Sequence, residues 1–88
     1  MSIGSVLEDF PKLSYDIRKT LATSDNWERL AEQLVILKAT GITMDRIQKI
    51  KYQPTKIARC EVFLRETEHL GVDIFFQGLS ECLFRPPC

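Results

Sequence analysis

The sequence predicts an all-α domain, on three observations. Apolar residues recur at spacings of three and four over most of the chain. Short clusters of Ser, Thr, Asp, Asn, Gly and Pro separate these stretches. No stretch alternates apolar and polar residues as a half-buried strand would. With 88 residues the chain has room for a single domain, 1–88, with a core from about 6 to 84.

A first helical segment is expected from Val6 to Ala22. Leu13, Ile17 and Leu21 recur every four residues, with Phe10 one turn earlier. Pro11 lacks an N–H and fixes φ, so it starts the helix or kinks it near Phe10. Ser24, Asp25 and Asn26 break the segment, and Asp25 with Glu28 has the spacing of a capping box. A second helix is expected from Trp27 to Lys38, burying Trp27, Leu30, Ala31 and Leu34 and ending at Gly41. Thr43 is placed to cap a short third helix that carries Ile47 and Ile50, with Asp45 in its first turn. The fourth helix is expected from Pro54 to Leu70, with Ile57, Cys60, Phe63, Leu64 and Thr67 inward and Gly71 ending it. Asp73 can cap a fifth helix that buries Phe75 or Phe76, Leu79 and Leu83. Gly78 weakens that helix or marks a close packing contact. Arg85 to Cys88, with two prolines, is not expected to be helical.

Composition narrows the function classes. Hydrophobic residues make up 44% and charged residues 27%, a globular balance. The 12 basic and 12 acidic residues cancel, which argues against a nucleic-acid binder, since phosphate neutralisation supplies most of such affinity. No apolar run approaches the roughly 20 residues that span a bilayer, and the first nine residues lack the basic cluster of a signal peptide. Cys60, Cys82 and Cys88 have neither zinc-site nor CxxC spacing. They read as two buried or half-buried thiols and one free tail cysteine in a reducing compartment, so a cytoplasmic location is expected.

The residues for catalysis are sparse. His69 is the one histidine, and it reads as an exposed polar residue near a helix end. Cys60 precedes it by nine positions, which puts the two on opposite faces of one helix. Glu66 and Glu68, two apart, point to different sides and cannot share a proton. No phosphate-loop, dinucleotide-binding or nucleophile-elbow motif is present. The chain is therefore read as non-enzymatic, with no catalytic residues, no metal, no cofactor and no small-molecule substrate.

The pattern Leu13-x3-Ile17-x3-Leu21-x5-Trp27-x2-Leu30-Ala31 resembles the start of a death domain. It is similar to those of the Toll/interleukin-1 receptor-associated kinases and their adaptors. Thr43-x3-Ile47-x2-Ile50 resembles the third helix of that family, and Phe63-Leu64 followed by Gly71 resembles its fourth. The resemblance, over roughly residues 10–83, implies a compact antiparallel bundle of five helices, or six with the family's full complement. It also implies an adaptor that assembles signalling complexes, as in innate immunity and apoptosis, by contact with other death-domain-type proteins or with itself.

Charge then locates the expected contact surface. Lys38 to Arg59 holds six basic residues and one acid, while Glu61 to Glu81 holds five acids and one base. This reads as a positive and a negative face, which would suit head-to-tail contact. Expected partner-binding residues are Arg46, Lys49, Lys51, Lys56 and Arg59 on one side, with Glu66, Glu68 and Asp73 on the other. A small helical nucleic-acid-binding domain and a docking bundle of another family are the competing readings.

Overall fold

A computed structural model describes the backbone of residues 1–84 and the side chains to Cys82. Six α-helices follow one another: α1 (Ile3–Asp9), α2 (Pro11–Ala22), α3 (Asn26–Ile36), α4 (Met44–Lys51), α5 (Lys56–Thr67) and α6 (Val72–Phe84). The chain is all-α among the described residues, with a lone antiparallel bridge between Ser2 and Gly71. The Leu83 side chain and the Arg85–Cys88 tail, expected to be core and non-helical respectively, lie outside the described residues.

The first expected helix is two. Phe10 leaves helical geometry (φ −125°, ψ 81°) and Pro11 begins α2, where its missing N–H would have had no intrahelical partner. Among the described residues the count of six helices arises at this break. α1 also starts earlier than Val6. Ser2 caps it by accepting from the Ser5 amide at 3.3 Å. Ile3 donates to the Leu70 carbonyl at 2.7 Å and Gly4 to the Glu68 carbonyl at 2.9 Å. The unpaired amides at the start of α1 thus meet carbonyls at the α5–α6 turn. Gly4 fits because a Cβ there would sit 3.0 Å from the Glu68 oxygen. Ile3 is fully buried, so the core begins three residues ahead of Val6.

α3 is the hub, in contact with α2, α4, α5 and α6. Trp27, Leu30, Ala31 and Leu34 are all buried, as their helical spacing predicts. The Trp27 ring packs against Phe63 with centroids 6.0 Å apart. α6 lies closest to α3 at Gly78, where a Cβ would come within 3.0 Å of Leu30 and 3.1 Å of Leu34. Of the two readings of Gly78, close packing is the one observed. Phe75 is the aromatic that α6 buries completely; Phe76 and Leu79 are half-buried.

The caps divide into those expected and those not. Thr43, as expected, accepts from the Arg46 amide (3.3 Å) and starts α4, while Thr55, not expected as a cap, accepts from the Ala58 amide (3.0 Å) and starts α5 two residues after Pro54. The Asp25–Glu28 capping box does not form. Ser24 and Asp25 both lie in the left-handed region (φ 55° and 56°), and the Asp25 side chain makes no cap hydrogen bond. Nor does Gly41 end α3. Lys38 does, at φ 57°, while its amide reaches the Val35 carbonyl at 3.0 Å and that of Ala39 reaches Leu34 at 2.9 Å. This pairing is a Schellman motif with lysine at the position glycine usually takes.

Two residues expected to be core are not. Leu13 is 39% exposed and Ser14 is buried instead. Each step of four rotates a residue about 40° around the helix, so Leu13 drifts to the edge of the face that Ile17 and Leu21 define. Ile57 is 71% exposed because it sits in the first turn of α5, before the buried run that starts at Cys60.

Two substitutions test this packing by chemical denaturation. Trp27→Ala should cost about 3–5 kcal/mol, a third or more of the stability of a domain with roughly 5–15 kcal/mol to lose unless that domain lies near the upper end of the range. Lys38→Gly should stabilise by up to about 1 kcal/mol, because a side chain in left-handed geometry is strained and glycine is not.

Candidate interaction surface

The expected basic residues have unequal surroundings. Arg46 Nη1 meets Glu66 Oε2 at 2.6 Å, joining α4 to α5. Lys51 Nζ meets Glu28 Oε1 at 2.8 Å, joining α4 to α3, and this hydrogen bond and charge raise the Lys51 pKa. Arg59 Nε donates to the Gln53 carbonyl at 3.0 Å, and its Nη1 lies 3.6 Å from Asp25 Oδ1. Arg59 therefore ties the α4–α5 loop to the turn that holds the two left-handed residues. Lys49 and Lys56 are exposed and make no ion pair with the described residues.

The acidic set divides likewise. Glu66 is held by Arg46. Glu68 and Asp73 are exposed and without an ion pair among the described residues. The positive and negative runs do not form separate faces where Arg46 meets Glu66. They interdigitate across α4 and α5, because the helices that carry them pack side by side. A further pair, Arg18 with Glu61 at 2.7 Å, joins α2 to α5. It lies in an open cleft of about 770 Å³ between α1, α2 and α5, rimmed by Glu8, Arg65, Glu68 and His69. The cleft carries both signs of charge and converges on no single chemistry.

His69 is exposed, as expected, and it also has a partner. Its Nε2 donates to the Thr40 carbonyl at 2.6 Å; a carbonyl only accepts, so that nitrogen carries the proton. The contact ties the α3–α4 loop to the α5–α6 turn beside Gly41, whose φ of 79° suits glycine. Burial pushes the Cys60 thiol up to about 11, with the Glu61 charge adding and Arg18 opposing. Burial also raises Cys82, against an opposing effect of Arg29. Neither is disulfide-bonded; Cys88 lies outside the described residues. Among the described residues no three His, Cys, Asp or Glu side chains converge as a metal site, and no helix is long and apolar enough to cross a membrane.

Charge counting alone did not point to the apolar side chains that lie beside the free lysines. Tyr52 is 85% exposed at the end of α4, and Ile57, 71% exposed, follows Lys56. The α4–α5 corner thus presents Lys49, Tyr52, Lys56 and Ile57 together. A second apolar patch lies at the α1–α2 break, where Phe10 is 51% exposed beside Pro11 and Leu13. The signal for both was present in the sequence as apolar residues flanking Pro54 and Pro11.

No family model, no curated protein and no solved structure matches the chain.

The ion pairs should differ in energetic weight. Arg46→Ala should change stability by less than about 1 kcal/mol, because both partners are well exposed. Arg59→Ala should cost about 1–2 kcal/mol, since it removes a charged hydrogen bond that fixes a loop. Urea denaturation of both variants would check the order.

The thiols give a pH prediction. A thiol pKa raised by folding leaves the native state unable to ionise where the unfolded state can. The associated stability is intact below pH 9, the ordinary thiol value, and falls between pH 9 and about 11 for Cys60. Cys60 and Cys82 should resist a thiol reagent at pH 8 and react once the protein is denatured.

Proposed function

We propose that this chain is a non-enzymatic protein-interaction module of the death-domain type, which recruits a partner by contact between helical domains. The observation that carries this reading is the α4–α5 corner. Lys49 and Lys56 stand there without an ion-pair partner among the described residues, beside Tyr52 and Ile57, which are large, apolar and exposed. Exposed aromatic and aliphatic side chains beside unpaired charge are the composition of a docking surface, the apolar part giving affinity and the charge giving partner choice.

The internal arrangement supports the family part of the reading. Trp27 opens α3 and is buried against Phe63 of α5. A short α4 starts at Thr43, and α5 ends before Gly71. These are the positions on which the resemblance rests. The adaptor role, the signalling context and the cytoplasmic setting follow from that resemblance. Against a nucleic-acid reading, Arg46, Lys51 and Arg59 are engaged by carboxylates of the same chain, which halves the six cations that the basic run from Lys38 to Arg59 could offer to phosphate.

The test is light scattering at low and high salt, with and without a short DNA duplex. The proposal expects association that weakens with salt and ignores the duplex. Lys49→Glu combined with Lys56→Glu should abolish it while leaving helicity by circular dichroism unchanged. A protein that stays monomeric and shifts only with DNA would replace this reading with the nucleic-acid one.

A further inference from the structure

We infer that the α4–α5 corner of one copy docks into the groove at the α1–α2 break of a second copy, so that like chains associate head to tail. This rests on the reading above and names its surfaces.

The groove is a space of about 400 Å³ lined by Asp9, Phe10, Pro11, Lys12, Leu13 and Asp16. Its floor is apolar because Phe10, at 51% exposure, and Leu13, at 39%, belong to the break and to the edge of α2 rather than to the core. Neither Asp9 nor Asp16 has an ion-pair partner among the described residues. The groove thus offers apolar surface with two free carboxylates and a single lysine. The corner offers the converse, exposed Tyr52 and Ile57 with the free cations Lys49 and Lys56. The two patches are complementary in charge, and each supplies apolar surface for the other to cover.

They also lie at opposite ends of the same helix pair. Arg18 of α2 meets Glu61 of α5, while Asp25, beyond the end of α2, meets Arg59, nearer the start of α5. α2 and α5 are therefore antiparallel. The start of α2, with the groove, is remote from the start of α5, with the corner. One copy cannot satisfy its own groove with its own corner. A contact between two different patches at opposite ends does not close on itself and propagates.

Sedimentation velocity over a concentration series of the wild-type chain and two variants tests this. The corner variant is Tyr52→Ser with Ile57→Ser; the groove variant is Asp9→Lys with Asp16→Lys. All substituted positions are exposed, and circular dichroism checks that each variant folds. Should a corner variant fold poorly, Lys49→Glu with Lys56→Glu takes its place. Wild type is expected to form a ladder of species. Each variant alone should associate at least about tenfold more weakly, a loss of about 1.4 kcal/mol. The mixture should recover a dimer and nothing larger, since one intact groove then meets one intact corner. Wild type that remains monomeric, or a mixture that recovers no dimer, overturns the inference. Wild-type association that neither variant disturbs also overturns it, while leaving self-association by another surface in place.

Discussion

Everything else in this fold is arranged around the burial of one side of α3. Trp27, Leu30, Ala31 and Leu34 are each at most 1% exposed, and one helix can be covered so fully only if several others converge on it. α6 does so most closely, and Gly78 is what lets the two backbones approach. The glycine weakens α6 as an isolated helix by about 1 kcal/mol, but a Cβ there would force the Leu30 and Leu34 side chains to give by a few tenths of an ångström. Trp27 then meets Phe63 and ties α5 to the same centre. The Trp27 Nε1 proton is buried with no partner among the described residues. An unmade hydrogen bond of this kind costs about 1–3 kcal/mol, and the structure sustains it because the ring fills space that no smaller side chain would fill.

Around this centre the N-terminal segment and the loops are fastened by polar contacts. Ile3 and Gly4 give their amides to carbonyls at the α5–α6 turn, and Val72 returns one to Met1 at 3.2 Å. His69 fastens the α3–α4 loop to that same turn. Arg59 performs the matching task at the other end, holding Gln53 and Asp25. These contacts explain why the expected charge pattern did not translate into two clean faces. Three of the five basic residues singled out from the sequence are used to hold helices to one another, which leaves Lys49 and Lys56 of that set without an ion pair among the described residues.

The sequence made the helices and their inward faces legible because both follow from local periodicity. Trp27 to Leu34, Ile47 with Ile50, and Cys60 to Thr67 lie where a period of 3.6 puts them. The caps at Thr43 and the break at Pro11 were legible for a similar reason, since each depends on one residue's own chemistry. What the sequence concealed depends on context. Lys38, Ser24 and Asp25 adopt left-handed geometry that none of them prefers as strongly as glycine does, and only the packing of α3 against its neighbours forces it. Leu13 and Ile57 have apolar side chains at plausible spacing, but no helix covers them. Charge is least legible of all, since a lysine twenty positions from a carboxylate carries no sign of whether the fold will bring them together.

Four of the large apolar residues that escaped the core carry the proposed functional reading. Phe10, Leu13, Tyr52 and Ile57 are large and apolar, and each lies beside a proline that interrupts a helix or the approach to one. A proline break shortens the helix before it, and the side chains at the break lose the neighbour that would have buried them. In a chain of this size the penalty of that exposure is of the same order as the worth of a cap or a hydrogen bond, since each large apolar side chain left in water forgoes about 1.5–3 kcal/mol. Of the eight large apolar side chains that the fold leaves exposed among the described residues, these four flank the two proline breaks, where the proposed contact with another surface would cover them. The same breaks that interrupt the helices therefore expose the apolar surface on which the proposed association rests.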